Sequence, residues 1–221
     1  MKMILFLAAL TVLLYSCNHN TQKDNNQDLL PLDKLKAGNE RFVKGHPVHP
    51  DETLERVREL KKGQNPFAVV ISCSDSRVPP ELIFDQGLGD IFTIRTAGNV
   101  IGDYELGSIE YAVEHLHCNL VVVLGHENCG AIKAFLESNG EKHQDHIQSI
   151  VDYIASEEEI KPLIDSLKNN PDLAVKVNIK HAVNMLKNST LVLKPIIDNG
   201  HLNIVGAYYD LDSGKVSFEQ L

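Results

Sequence analysis

A thiol, a carboxylate and a guanidinium fall within five residues at Cys73-Ser74-Asp75-Ser76-Arg77, immediately after the apolar run Phe67 to Ser72. Farther along, Gly125-His126-Glu127-Asn128-Cys129-Gly130 follows a second apolar run, Leu120 to Leu124. Thiolates and imidazole are the ligands zinc selects. A set of two cysteines and one histidine (Cys73, Cys129 and His126) leaves the fourth tetrahedral position to water, which a catalytic zinc requires and a structural zinc does not. Zinc so bound polarises the water towards hydroxide, a nucleophile near neutral pH. Two thiolates give the metal more charge than imidazoles would, so the water is less acidic and the neighbours must compensate. Asp75 and Arg77 are the candidates.

Other chemistries fit the same residues less well. Cys118 and His126 stand at opposite ends of one extended run, and eight residues at about 3.3 Å each put them roughly 26 Å apart, so they do not share a metal. A phosphate-cradling cysteine loop needs arginine six positions after the cysteine, where this chain has Pro79. Cys73 and Cys129 are far apart in sequence and form no CxxC pair, which argues against a thiol redox protein. His143 and His146 lie three apart among acidic residues with no third ligand in view, and read as a solvated helix face. His115, His117 and His181 read as surface or structural residues.

The ligands need elements that bring them together. Both apolar runs are short, rich in β-branched residues and read as buried strands with the ligands just past their ends. In an open parallel sheet, ligands bind at the carboxyl ends of the strands. Asp90 to Arg95 and Leu202 to Tyr209 read as two more strands. Asp212-Ser213-Gly214 is a turn leading into Lys215 to Phe218, an antiparallel edge. Helical patterns cover Leu32 to Lys44 and Asp51 to Lys62, the latter opening on acids and closing on bases as the helix dipole prefers. A short helix follows Pro79-Pro80, and others span Tyr104 to His117 and Ala131 to Glu137. Glu141 to Asn188 reads as mostly polar helix broken at Pro162 and Pro171. Alternation of strand and helix predicts an α/β fold: a mainly parallel sheet with an antiparallel edge strand, flanked by helices.

With both motifs placed, the sequence resembles the β-class carbonic anhydrases. Cys73-Ser74-Asp75-Ser76-Arg77 and His126-x-x-Cys129-Gly130 match that family's two zinc motifs in order and separation. Gln86 to Phe92, Arg95-Thr96-Ala97-Gly98-Asn99 and Gly107 to Ala112 resemble the segments between them, and the likeness runs from about Leu32 to the C-terminus. The resemblance implies zinc-dependent hydration of CO2 to bicarbonate and a proton, by attack of zinc-bound hydroxide. It further implies that Asp75 orients the hydroxide and is held by Arg77, with Asp75 itself a possible fourth ligand in a closed state. Gln86 and the Gly130 backbone N–H would bind substrate. A plain Asp75–Arg77 salt bridge fixing the loop is the alternative for that pair. The N-terminal helices would form an arm around a neighbouring subunit of a homodimer or a multiple of dimers, or else cover this chain's own sheet. A non-catalytic zinc-binding lipoprotein of the same fold is the competing function. The chain has no Trp, which the bicarbonate effector pocket of one family subgroup uses.

Length and composition fit one α/β domain, over residues 31–221. The 21 basic and 30 acidic residues give a formal charge of -9, without a basic cluster to follow a phosphate backbone, so nucleic acid is not an expected partner. The N-terminus reads separately. Lys2 precedes an apolar run from Met3 to Leu14, too short for a membrane-spanning helix but suited to a signal peptide over residues 1–17. Leu14-Tyr15-Ser16-Cys17 resembles a lipobox, with Cys17 lipidated; Tyr15 is bulkier than that pattern has, and an ordinary signal peptide is the alternative. Residues 18–30 read as a polar tether. The expectation is an exported protein, lipid-anchored to a bacterial membrane facing the periplasm or exterior, or soluble in the periplasm.

Overall fold

A computed structural model describes residues 29–138, 142, 145–188 and 191–219. The expected signal peptide, Cys17, the tether up to residue 28 and His143 lie outside the described residues. Five strands form one sheet: β1 (Ala68–Cys73), β2 (Ile91–Thr96), β3 (Leu120–His126), β4 (Asn203–Tyr209) and β5 (Val216–Glu219). Their order is β2-β1-β3-β4-β5, parallel except for β5, which pairs antiparallel with β4. The mixed α/β architecture is the one expected from the alternating pattern.

β1 and β3 are buried at every residue, as central strands covered on both faces must be. Their Val, Ile and Leu side chains each contribute about 1.5–3 kcal/mol by leaving water. They lie side by side, Ile71 opposite Val123 and Ser72 opposite Leu124. From β1 the chain goes first to β2 on one side and then crosses to β3 on the other. The crevice at their carboxyl ends is therefore where the strand order reverses, the place in such sheets where ligands bind.

Alternation splits the core into two layers. Val69, Ile71, Val121 and Val123 face the larger one, with Ile109, Ile132, Ile154, Val175 and Ile179. These come from α4 (Asp103–His115), α5 (Gly130–Glu137), α6 (Ile147–Ser156) and the long helix Pro171–Asn188. Ala68, Val70, Val122 and Leu124 face the smaller layer with Leu35 and Phe84. Leu35 belongs to α1 (Pro31–Val43). Of the two alternatives for the N-terminal helices, α1 covers this chain's own sheet. Its buried Asn39 donates to the carbonyls of Ile83 (3.1 Å) and Gly214 (2.9 Å) and accepts from Val216 N–H at 2.8 Å. α2 is shorter than its pattern, Leu54–Leu60, because the Thr53 hydroxyl caps it by accepting from Arg56 N–H at 3.1 Å. It buries none of its own residues. The helix after Pro79 is α3 (Pro80–Ile83).

From 145 to 188 the chain is mostly helical and is interrupted at Pro162 and Pro171 as expected, but one face of it is core rather than polar. Beyond α6 lie a 3-10 turn (Lys161–Leu163), α7 (Ile164–Leu167) and α8 (Pro171–Asn188), and α8 buries Val175, Asn178, Ile179, Ala182, Val183 and Leu186. These recur at three- and four-residue intervals between lysines, so the composition is polar while one stripe is core. α9 (Leu193–Asp198) was not anticipated; its Pro195 falls in the first turn, where proline is tolerated. Among the described residues no helix is long and apolar enough to cross a membrane.

One buried acid stands apart. Glu157, just past α6, is 1% exposed, and neither of its carboxylate oxygens has a hydrogen-bond partner. Burial, and then the charge of Glu159, push its pKa up to about 9. The unfolded chain releases this proton near 4.5, the ordinary value, and the folded chain holds it until about 9. The unfolded state therefore binds fewer protons between those values, and stability falls as pH rises through that window, by at most about 1.4 kcal/mol per unit. Glu157→Gln should flatten this slope, so its melting temperature should exceed that of the parent increasingly from pH 6 to pH 9. Parallel melting curves across that range would refute the assignment.

Candidate metal centre

Cys73 ends β1, His126 ends β3, and Cys129 caps the start of α5. By alternation Cys73 follows Val69 and Ile71 towards the larger layer, while His126 follows Val122 and Leu124 towards the smaller one. The crevice lies between. Asn128, in the left-handed region at φ 53°, makes the turn that brings Cys129 back to His126. Just before it, Gly125 lies so close to α8 that a Cβ there would sit 2.6 Å from Ile179 Cδ1. The result is three buried ligand atoms, two Sγ and one imidazole nitrogen, all within 4.8 Å of one another. Cys118 lies elsewhere, its thiol donating to Pro66 O at 3.2 Å beyond the other end of β1, as the strand reading required.

The ligands are set up for a cation. His126 Nδ1 lies 2.7 Å from the Glu127 carbonyl, which fixes the proton on Nδ1 and leaves the Nε2 lone pair directed into the site. Nε2 is buried and has no hydrogen-bond partner. The neighbouring Cys129 thiol first, and then, against the opposing effect of burial, the N–H groups of Gly98 and Asp75 lower the pKa of Cys73. Cys129 moves the other way, raised by the Cys73 sulfur beside it and by burial, although the Ala131 and Ile132 amides at the helix start favour its thiolate. Two sulfurs this close carry two negative charges only against a positive one. Two soft thiolates, a neutral imidazole and an orphaned buried lone pair are a donor set that fits zinc.

Asp75 and Arg77 border this triangle. The Arg77 guanidinium grips Asp75 from two sides, Nε to Oδ1 at 2.9 Å and Nη2 to Oδ2 at 2.7 Å. Held first by that fork, the Asp75 carboxyl titrates well below the usual range. Its Oδ2 is 3.9 Å from His126 Nε2, so the carboxylate stands at the edge of the site in the orientation that Arg77 dictates. Gly130 is the first residue of α5, and a Cβ there would meet nothing within 4 Å, so open space adjoins its backbone beside Cys129.

Gln86, expected to bind substrate, makes its contacts in this chain away from the three ligands. It is buried against α1, its Nε2 donating to Phe84 O at 2.7 Å and lying where a Cβ on Gly38 would touch it. Sequence reasoning also missed residues that act on the ligand backbone. Arg95 donates to the carbonyls of Cys73 (Nε, 3.1 Å) and Asp75 (Nη2, 2.7 Å), and Gly98 N–H points at Cys73 Sγ at 3.4 Å. Both lie in the Arg95-to-Asn99 segment, whose likeness was seen without a role. His181 is structural as expected, its Nδ1 2.6 Å from Glu159.

The sequence profile of the carbonic anhydrase family matches residues 68–216. Carbonic anhydrase 2 of Mycobacterium tuberculosis is 42% identical over 183 residues, covering 82% of this chain and 87% of its own. A carbonic anhydrase of Mycolicibacterium smegmatis is 40% identical over 198 residues, covering 87% and 93%. Among solved structures, the β-carbonic anhydrase CafA of Aspergillus fumigatus superposes with a TM-score of 0.65 at 30% identity, over 86% of this chain and 88% of that one.

Cys73→Ser and Cys129→Ser should each lose most of the bound zinc, whereas Cys118→Ser should keep it, since only the first two face His126. Zinc content of the purified variants checks this; stoichiometric zinc in Cys73→Ser would overturn the ligand set.

Proposed function

The chain belongs to the β-class carbonic anhydrases, and on that premise we propose that it catalyses the reversible hydration of CO2 to bicarbonate and a proton at zinc held by Cys73, His126 and Cys129. The observation that carries the proposal is the convergence of three buried ligand atoms within 4.8 Å, with the His126 Nε2 lone pair free to bind. Zinc there supplies the acidity that makes a coordinated water a nucleophile near neutral pH.

The chain's own residues do the rest. Asp75 stays ionised, and an ionised carboxylate only accepts hydrogen bonds, so it orients a donor beside the metal without giving up a proton. Arg77 fixes where that acceptor points, because a two-pronged guanidinium contact sets direction as well as distance. Arg95 anchors the loop from below through the Cys73 and Asp75 carbonyls. The Gly130 backbone N–H lies in the first turn of α5, where such groups have no partner in the helix, and is the donor offered to substrate. A protein that only stored zinc would need none of this, and the Asp75–Arg77 pair is what favours the enzyme over the non-catalytic lipoprotein.

A homodimer is part of the proposal. β2 is an edge strand and only half-buried, and nearby Leu54, Val57, Leu82 and Leu88 are exposed. Gln86 lines a cleft of about 320 Å³ with Leu82 and Leu88, so a role for it in substrate binding would be played towards the centre of a second copy. The anchored location is a proposal too. It rests on the lipobox-like run Leu14 to Cys17.

Stopped-flow CO2 hydration by the zinc-loaded protein tests the proposal directly; full zinc without hydration would leave the non-catalytic reading. Arg77→Ala should retain zinc yet lower the hydration rate by about 100-fold, the scale of losing one preorganised polar contact in a catalytic site. Arg77→Lys should not restore it, lacking the fork. Separately, Cys17→Ser should move the protein from the membrane fraction to the soluble one with hydration unchanged; persistence in salt-washed membranes would exclude Cys17 as the anchor.

A further inference from the structure

α8 presents an apolar stripe to the sheet, and one residue in that stripe is polar. Asn178 is 2% exposed and lies between Val175, Ile179 and Ala182 on the buried face. A carboxamide is disfavoured there unless it is hydrogen-bonded. Its Nδ2 donates to the carbonyl of Gly98 at 3.0 Å, eighty residues away in sequence. Gly98 in turn directs its N–H at Cys73 Sγ, at 3.4 Å.

Gly98 is in the left-handed region, φ 70° and ψ 15°, inside a three-residue 3-10 turn. A Cβ at this position would sit 2.9 Å from Ala131 Cβ, and the positive φ suits only glycine without strain. The Gly98 N–H is held by β1 through Cys73, and its carbonyl is tied to α8 by Asn178. The same helix touches the other ligand strand, since Ile179, the next residue, fills the space that a side chain on Gly125 would take. α8 therefore braces the residue before His126 by packing and the turn over Cys73 by a hydrogen bond.

We infer that Asn178 is a positioning residue for the metal centre: by holding the Gly98 carbonyl, it keeps the Gly98 N–H on the Cys73 sulfur. An N–H aimed at a thiolate draws charge from the sulfur, so less is donated to the metal. That is the direction of compensation a centre with two thiolates needs if its water is to be acidic. Outer partners of metal ligands of this kind change affinity by about 10–100-fold when removed. The inference rests on the zinc centre proposed above.

The test uses the full chain with Asn178→Leu, which keeps the number and branching of the side-chain heavy atoms and removes the donor, and Asn178→Ser, which is too short to reach Gly98 and can bond within its own helix. Zinc retention against a chelator and the thiolate-to-metal charge-transfer absorption of the cobalt-substituted protein are read together with the melting temperature. We expect zinc affinity to fall about 10-fold because Cys73 is no longer held in position, and the charge-transfer band to move to lower energy because its sulfur donates more charge without the N–H. A residue that merely packs α8 would lower the melting temperature and leave the band in place; an unshifted band with parental zinc retention in either folded variant overturns the inference. In the unaltered zinc-loaded chain, the Gly98 amide should exchange slowly with solvent hydrogen, and fast exchange overturns it whether or not the variants fold. If the unaltered chain binds no zinc, the zinc centre is what fails; if it does and Asn178 is indifferent, only this inference fails.

Discussion

Two sulfurs and an imidazole nitrogen held within 4.8 Å among buried residues form an arrangement that a protein interior does not favour unaided. Thiolates repel each other, and burial penalises both. With the two sulfurs this close, a charge on either one opposes ionisation of the other. A divalent cation resolves that conflict. Much of the structure nearby can be understood as preparing for that charge without supplying it: the Gly98 N–H on one sulfur, the Ala131 and Ile132 amides at the other, and a histidine whose proton is pinned on the far nitrogen.

The sheet sets the precision of the site. β1 and β3 are hydrogen-bonded neighbours buried on both faces, so neither can slip without turning Val69, Ile71, Val121 and Val123 out of their layer. Their register fixes Cys73 against the segment that carries His126. The third ligand is less constrained, since it follows a turn, and there the chain uses Asn128 in a left-handed conformation and the start of α5. Asp75 likewise sits on a loop. It is steadied by two arginines from different elements, Arg77 on its carboxylate and Arg95 on its carbonyl.

Legibility in the sequence followed the range of the forces involved. The central strands were readable because full burial writes an unbroken apolar run, and the ligands were readable because metal chemistry restricts residue type and each ligand lies at or just past a strand end. The antiparallel edge was announced by Asp212-Ser213-Gly214. What could not be read depends on tertiary neighbours. α8 hides its core stripe among lysines, and a lone Asn178 in such a helix looks like one more polar residue until the carbonyl of Gly98 is found beside it. Gln86 carried a family likeness that suggested a role with substrate, and its amide bond to Phe84 beneath α1 is a tertiary contact no local pattern announces. Glu157 sits in a run of three glutamates, Glu157 to Glu159, that composition assigns to the surface; only the packing buries the first of them while the third pairs with His181.

These hidden residues share a feature. Asn178, Arg95 and Gly98 touch no substrate and bind no metal directly, yet each constrains the backbone or sulfur of Cys73 through contacts that span 20 or more residues. The three ligands specify which ion binds, while the contacts behind them specify how much charge the ligands hand to it and how far they can move. A centre with two thiolates is the case in which that second group matters most, because its ligands alone would leave a coordinated water too weakly acidic. The metal centre is thus held from several parts of the chain: the motif residues provide the ligands, and a helix far along the sequence reaches the turn beside Cys73.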